Sequence, residues 1–109
     1  MDPGEPYNLD NAWKAIAKAS MFDRLHYLRL MYTALWEASS GRNLVTEPLF
    51  HYYPDDDAVF VDIEHTFMVG GGRVKVSPIL SALEDGVTTF QAYFPAGNWV
   101  NLADWSVLA

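Results

Sequence analysis

Hydrophobic residues recur with a helical spacing along the first third of the chain. Between residues 10 and 38 they follow one another in steps of three, four and five, which sum to the period of an α-helix. Asn8 or Asp10 can accept hydrogen bonds from the free amides of the first turn, and Gly41 suits the left-handed position after the last turn. The pattern therefore predicts one long amphipathic helix. Its expected anchors are Trp13, Leu28, Leu35 and Trp36.

The pattern changes after Gly41 to β-branched and aromatic residues. Leu44–Tyr53 predicts a strand, with Pro48 at an edge or a beginning because proline has no amide hydrogen. "DIEHTFMVG" predicts a short helix that Asp62 caps and Gly70 ends, with Phe67 and Met68 pointing inward.

Three more strands are expected in the second half. Arg73–Leu80, Thr88–Pro95 and Trp99–Leu102 are separated by turn signals at residues 84–86 and 96–98. Strands at such spacing are typical of an antiparallel meander. The predicted fold class is therefore α+β: a long helix, a strand, a short helix and a β-meander.

Composition restricts the classes of partner. The chain has 109 residues, enough for one compact unit, and 50% of them are hydrophobic. So much apolar surface on a small domain favours contact with a partner surface. The net charge of −7 disfavours binding to nucleic acid or to anionic lipid. No apolar run reaches the roughly 18 residues of a membrane span, and the acidic, polar start does not resemble a signal peptide.

No motif predicts a complete catalytic, cofactor or metal site. Asp55, Asp56 and Asp57 lack the alternating spacing of a calcium loop, so a solvated turn is favoured over a metal site. The histidines lack zinc-pair spacing, and Ser77 has no nucleophile elbow. Gly70–Gly72 predicts a chain turn and not a phosphate loop. The histidines are His26, His51 and His65.

Aromatic residues leave two interpretations open. Flat rings with polar tips can stack on sugars, but a small domain also needs large residues to fill its interior. Packing between helix and sheet is the favoured interpretation. The residues concerned are Tyr52, Tyr53, Tyr93, Trp99 and Trp105.

Six short motifs follow one another along nearly the whole chain. They are Glu5–Tyr7, Pro48–Phe50, Tyr53–Asp56, Asp62–Gly70, Val76–Leu80 and Tyr93–Leu102. None is specific alone, but in this order they resemble the late part of α-glucosidases of glycoside hydrolase family 31.

The resemblance implies an architecture and the absence of the catalytic pair. Residues 1–72 would be the end of a (β/α)₈ (TIM) barrel, and residues 73–109 the start of the following β-sandwich. Retaining glycosidases use two carboxylates about 5 Å apart. In the family both are aspartates that precede the segment matching residues 5–7, so no catalytic role passes to this chain. Many members carry arginine before Pro-Leu-Phe, whereas this chain has Glu47.

Two functional hypotheses follow. The chain is a piece of an α-glucosidase-like enzyme of carbohydrate metabolism, inactive alone, whose partner is the rest of the parent glycosidase. Alternatively, it is a self-standing interaction module that associates with itself through the apolar helix face, with weak sugar binding. Neither hypothesis involves a cofactor, a nucleic acid or a membrane.

Overall fold

A computed structural model describes residues 5–61 and 63–108 of the chain. The length suggested one compact unit, whereas the structure groups the chain into two, Met1–Val45 and Thr46–Ala109. The assignment of residues 1–72 and 73–109 to two domains of a parent enzyme stays a prediction.

The first unit contains two helices where the pattern predicted one. Helix α1 spans Asn11–His26 and α2 spans Leu28–Ser39, and Tyr27 between them has φ −92° and ψ 2°. The Tyr27 amide donates to the Arg24 carbonyl in a tightened last turn. The prediction of a single helix is wrong. Only Tyr27 departs from helical geometry, and one such residue hardly alters the spacing of apolar positions, so the sequence pattern does not reveal the break.

Both predicted ends of the helical region are confirmed. The Asp10 carboxylate accepts a hydrogen bond of 2.9 Å from the Trp13 amide. At the other end Gly41 has φ +72°. The amides of Gly41 and Arg42 donate to the carbonyls of Ala38 and Glu37, the pair of bonds of a Schellman cap.

The expected helix anchors are not buried in this chain. Trp13 is 59% exposed, Leu35 55% and Trp36 54%, and Leu28 is also exposed. On α2 the buried residues are Ala34 and Glu37, and α1 has none. The prediction assumed that the broad apolar stripe packs within the chain, whereas in the described chain these side chains stay about half exposed.

The second unit is built on a three-stranded antiparallel sheet. Its strands are β1 Thr46–Pro48, β2 Phe67–Val69 and β3 Val74–Val76, with β2 in the centre. A buried cluster of Leu49, Val59 and Met68 forms its core. Phe50, Tyr52, Tyr53 and Trp99 pack against this cluster.

The β2–β3 connection confirms the predicted glycine turn. Gly70, Gly71 and Gly72 have φ of 67°, 65° and 77°, a run of left-handed geometry that other residues rarely adopt. The Arg73 guanidinium donates to the Gly70 carbonyl at 2.8 Å and closes the loop.

Two elements before this turn differ from their predictions. The predicted strand Leu44–Tyr53 is limited to β1 and is followed by a 3-10 helix, Leu49–His51. The predicted short helix holds only a 3-10 turn, Ile63–His65, after which Phe67–Val69 forms strand β2. Pairing of β2 with β1, which is distant in sequence, and with β3, which follows directly after the glycine turn, overrides the local signal. Met68 is buried as predicted, and the predicted cap Asp62 lies outside the described residues.

The predicted meander of residues 73–102 is also wrong. Strand β3 is shorter than Arg73–Leu80, and the described residues 88–95 form no strand. Trp99–Val100 forms β4, which pairs with β5, Val107–Leu108, in a separate two-stranded sheet. Strand-type residues at 88–95 therefore lack the neighbouring strand that the meander requires.

The predicted α+β class is confirmed in its general form, because the chain combines helices with small antiparallel sheets. Descent of the first part from a barrel stays a prediction. Among the described residues, neither helix is long and apolar enough to cross a membrane.

Candidate functional site

An open pocket of about 230 Å³ lies in the second unit beside strand β3. Its apolar wall includes Val59, Leu83 and Phe90, and its polar edge includes Thr66 and Ser77. Leu83 is 39% exposed and Phe90 47%, so the wall is accessible from solvent. The pocket thus combines apolar surface with two hydroxyl groups.

The antiparallel pairing of β2 with β3 brings together the two hydroxyl residues at the polar edge of the pocket. Phe67 of β2 pairs with Val76 of β3, so the next positions outward bring Thr66 opposite Ser77. Their hydroxyl oxygens are 3.3 Å apart. The Thr66 hydroxyl also bonds to the Val76 carbonyl at 3.3 Å. Two strands of the sheet therefore hold this hydroxyl pair.

Lys75 does not line the pocket, but it places a positive charge next to Ser77. Lys75 and Ser77 are two residues apart along extended chain and point to the same face, and Lys75 Nζ donates to Ser77 Oγ at 2.6 Å. The ammonium group also lies 4.1 Å from the centroid of the Phe94 ring. Partial burial lowers the pKa of Lys75 from its ordinary value because desolvation disfavours the charged form.

A second polar cluster surrounds Glu47, which is only 6% exposed. The Tyr52 hydroxyl donates a hydrogen bond to Glu47 Oε2. His51 Nε2 lies 3.6 Å from Glu47 Oε1. Burial, followed by the hydrogen bond to Glu47, raises the pKa of Tyr52 to about 12. The glutamate that departs from the family pattern is therefore a buried acceptor with its own donor.

Of the three aspartates, Asp56 makes structural contacts. Asp56 Oδ1 accepts from the Ala58 amide at 3.1 Å and caps the 3-10 helix Asp57–Phe60. Asp56 Oδ2 accepts from the Tyr93 hydroxyl at 2.6 Å, and this bond is the main cause of the raised pKa of Tyr93. Within residues 5–61 and 63–108, no three acidic, histidine or cysteine side chains are grouped as metal ligands.

The histidines and Ser77 are not assembled into a catalytic triad in the described structure. His26 ends α1, and His51 faces Glu47. His65 lines the same pocket as Ser77, but the groups that bond to Ser77 are Thr66 and Lys75.

Most of the candidate sugar-stacking aromatics are engaged in packing. The Tyr53 ring lies 6.3 Å from that of Trp99, and the Trp99 indole donates to the Pro95 carbonyl at 2.8 Å. Tyr52 and Tyr93 bond to carboxylates, as described above. Trp105 differs, since it is 74% exposed and has φ 62°.

Sequence reasoning did not identify Lys75 as part of a polar cluster. The period-two spacing of Lys75 and Ser77 was the available signal, but Thr66 and Phe94 reach the cluster only through tertiary structure.

Comparison with known proteins identifies the family. The sequence model of the Glycosyl hydrolase family 31 C-terminal domain matches residues 42–108, more than half of the chain. The chain belongs to glycosyl hydrolase family 31.

Curated relatives in family 31 include plant and bacterial proteins. A probable alpha-glucosidase of Oryza sativa subsp. japonica and the alpha-glucosidase of Hordeum vulgare are each 38% identical over 87% of this chain. Alpha-glucosidase 2 of Bacillus thermoamyloliquefaciens is 34% identical over 95% of it. The matched stretch spans only 10%, 11% and 13% of these three relatives. No solved structure matches the chain significantly.

Proposed function

We propose that this chain is a non-catalytic part of an alpha-glucosidase-like glycosidase. The observation that carries the proposal is the similarity to alpha-glucosidases along 87–95% of the chain, although it spans about a tenth of their length. Two of the described acids have structural roles that support the proposal. Asp56 is a cap and Glu47 is a buried acceptor with its own donor.

Hydrolysis of p-nitrophenyl α-glucoside by the purified chain tests the absence of activity. We expect no turnover above that of a buffer control. Asp55→Asn and Asp57→Asn variants are assayed in parallel, since each removes an acid for which the structure shows no capping bond. Turnover by the parent chain that either substitution abolishes would overturn the proposal, because contaminating enzyme would not respond to the substitution.

The apolar face of α1 and α2 is proposed as the contact with the remaining chain of such a glycosidase. Trp13, Ile16, Leu25, Leu35 and Trp36 are each more than half exposed. Apolar exposure on this scale marks an interaction surface in soluble proteins. About nine tenths of each relative lies outside the matched stretch and is available to cover such a face.

The competing candidate for the same face is a second copy of this chain. Sedimentation equilibrium distinguishes the two by concentration dependence. A monomer at all concentrations argues against the self-standing module. A dimer that Leu35→Glu converts to a monomer, while the exposed-site control Lys14→Glu does not, supports self-association.

Weak sugar binding remains a third candidate, and exposed Trp105 favours it. The loop that presents Trp105 is held by bonds from the Trp105 amide to the Asn101 carbonyl and from the Ser106 amide to Asp104. Titration with maltose should quench tryptophan fluorescence in the parent chain and less so in Trp105→Phe. Unchanged fluorescence in the parent chain argues against sugar binding.

A further inference from the structure

We propose that Asp85 is a site of spontaneous backbone modification, at which the linkage between Asp85 and Gly86 closes to a succinimide and reopens as isoaspartate. These residues lie in a turn of the second unit, after strand β3 and before β4. The proposal is independent of the glycosidase assignment, since it uses neither the helix face nor a sugar. It depends on three features: the glycine, the availability of both reacting groups and the exposure of the surrounding segment.

The reaction needs only the chain itself and water. The Gly86 amide nitrogen attacks Asp85 Cγ, an N–Cγ bond forms, and the carboxyl hydroxyl leaves with the amide proton as one molecule of water. Both groups belong to the same chain, so the step requires no encounter between molecules. Water then adds to one of the two ring carbonyls. Opening at the main-chain carbon of Asp85 leaves the chain running through Cγ, which is isoaspartate, whereas opening at Cγ restores aspartate.

The glycine at position 86 leaves room for the attack. Asp85 is the only aspartate of the sequence that is followed directly by glycine. Gly86 has φ +83°, and a Cβ added there would meet no atom within 4 Å. Because glycine has no Cβ and adopts most backbone angles, its nitrogen meets little steric resistance as the ring closes.

Both reacting groups are available. Within the described part of the chain, the Asp85 carboxylate and the Gly86 amide take part in no hydrogen bond. The turn is closed instead by the Val87 amide, which donates to the Glu84 carbonyl at 3.0 Å. The turn bond therefore does not occupy the attacking nitrogen, and the Asp85 carboxyl group can rotate toward it.

The surrounding segment offers little resistance to ring closure. Residues 81–90 are all exposed, and the described chain forms no helix or strand between positions 77 and 98. Exposed segments with few buried contacts open locally at a small cost in free energy. The rotation of Asp85 that closes the ring is therefore accessible in the folded chain.

Asp104 is an exposed aspartate that lacks these features. It is followed by Trp105, which carries a bulky side chain next to the nitrogen that would attack. Asp104 Oδ1 accepts from the Ser106 amide at 2.9 Å and from the Ser106 hydroxyl at 2.6 Å. These bonds hold the carboxylate in place. Asp104 therefore serves as a comparison within the same protein.

Incubation of the intact protein in heavy-oxygen water tests the proposal. Water that opens the succinimide leaves one heavy oxygen at the modified residue. Trypsin cleaves after Lys75 and at no later position, so Asp85 and Asp104 lie on one peptide, in which electron-transfer fragmentation locates the label. We expect label and isoaspartyl fragments at Asp85 and none at Asp104. Equal labelling of the two residues would refute the role of the turn.

A synthetic peptide of residues 83–88 calibrates the rate. We expect labelling of Asp85 in the protein within roughly tenfold of that in the peptide, since exposed segments open at little cost. Absence of label at Asp85 under conditions that convert the peptide would overturn the proposal.

Two variants separate ring closure from any other source of label. Asp85→Glu keeps the carboxylate but requires a larger ring, and Gly86→Ala adds a methyl group beside the attacking nitrogen. We expect no label at position 85 in the first variant and at least several-fold slower labelling in the second. Circular dichroism verifies that each variant is folded. Unchanged labelling in either folded variant refutes the proposal.

Discussion

The hydrogen bond between Tyr52 and Glu47 allows a quantitative test of the second unit. Tyr52→Phe removes one hydroxyl and keeps the ring. Glu47 is 6% exposed, its carboxylate accepts a hydrogen bond from the Tyr52 hydroxyl, and His51 Nε2 lies 3.6 Å away. The substitution therefore leaves a buried carboxylate without its one close donor.

The expected loss of unfolding free energy is about 2 kcal/mol. Hydrogen bonds to charged groups contribute about 1.5–3 kcal/mol. The pKa of Tyr52, which burial and then the hydrogen bond to Glu47 raise to about 12, agrees in direction, since both causes favour the protonated hydroxyl. The Tyr52 side chain is only partly buried, so solvent screening places the effect in the lower part of that range.

Urea unfolding followed by circular dichroism measures the loss. With a slope of about 1–2 kcal/mol per molar urea, the midpoint should fall by roughly 1–2 M at an unchanged slope. Tyr53→Phe is the matched control, because the Tyr53 ring packs near Trp99 and its hydroxyl makes no hydrogen bond within the part of the chain that the structure describes. We expect that control to change stability by less than about 0.5 kcal/mol.

A double-mutant cycle with Glu47→Gln isolates the contact. If the hydroxyl stabilises the fold through Glu47, the two substitutions should couple by at least about 1 kcal/mol. Additive effects, or equal losses in Tyr52→Phe and Tyr53→Phe, would refute this account of the buried glutamate.

Three further predictions concern single residues. Gly72→Ala should destabilise by about 2–4 kcal/mol in urea unfolding, because φ is +77° and an added Cβ would lie 2.8 Å from the Tyr52 ring. Gly86→Ala, with φ +83° and open space, should cost only about 1 kcal/mol, and equal losses would contradict the steric reading. Absorbance at alkaline pH should show that the pKa of Tyr52 is about 12 in the folded chain and lower in Glu47→Gln. Because the folded pKa lies above the unfolded pKa of 10.0, the protonated hydroxyl contributes its full stability below pH 10, and this contribution is lost as pH rises through 12. A titration midpoint near 10 in the folded chain would contradict the raised pKa of Tyr52. Trp36→Ala should cost less than about 1 kcal/mol, mainly the contact with Arg42 at 4.9 Å, and a loss of several kcal/mol would mean that Trp36 is buried in solution.

Local chemistry was predictable from the sequence. The Asp10 cap, the Gly41 terminus and the Gly70–Gly72 turn each depend on residues within a few positions. Family membership was also accessible, because the ordered motifs retain their identity along the chain, and the family model and the curated relatives confirm it.

Contacts between distant segments were decided only by tertiary structure. Phe67–Val69 is a strand because β1 and β3 supply its hydrogen-bonding partners, although its own sequence resembled a short helix. Residues 88–95 have strand composition but form no strand, while Trp99–Val100 pairs with Val107–Leu108. Backbone pairing is stable only when a second strand is present at the correct register, and spacing within one segment cannot specify that partner.

The same distinction applies to the two polar clusters. The sequence by itself determined that Glu47 precedes Pro-Leu-Phe and that Lys75 and Ser77, two positions apart in a predicted strand, share a strand face. Only the folded chain buries Glu47 beside Tyr52 and brings Thr66 and Phe94 to Lys75. The physical reason is that desolvation and a partner at hydrogen-bonding distance both arise from non-local packing, which residue spacing along the chain does not encode.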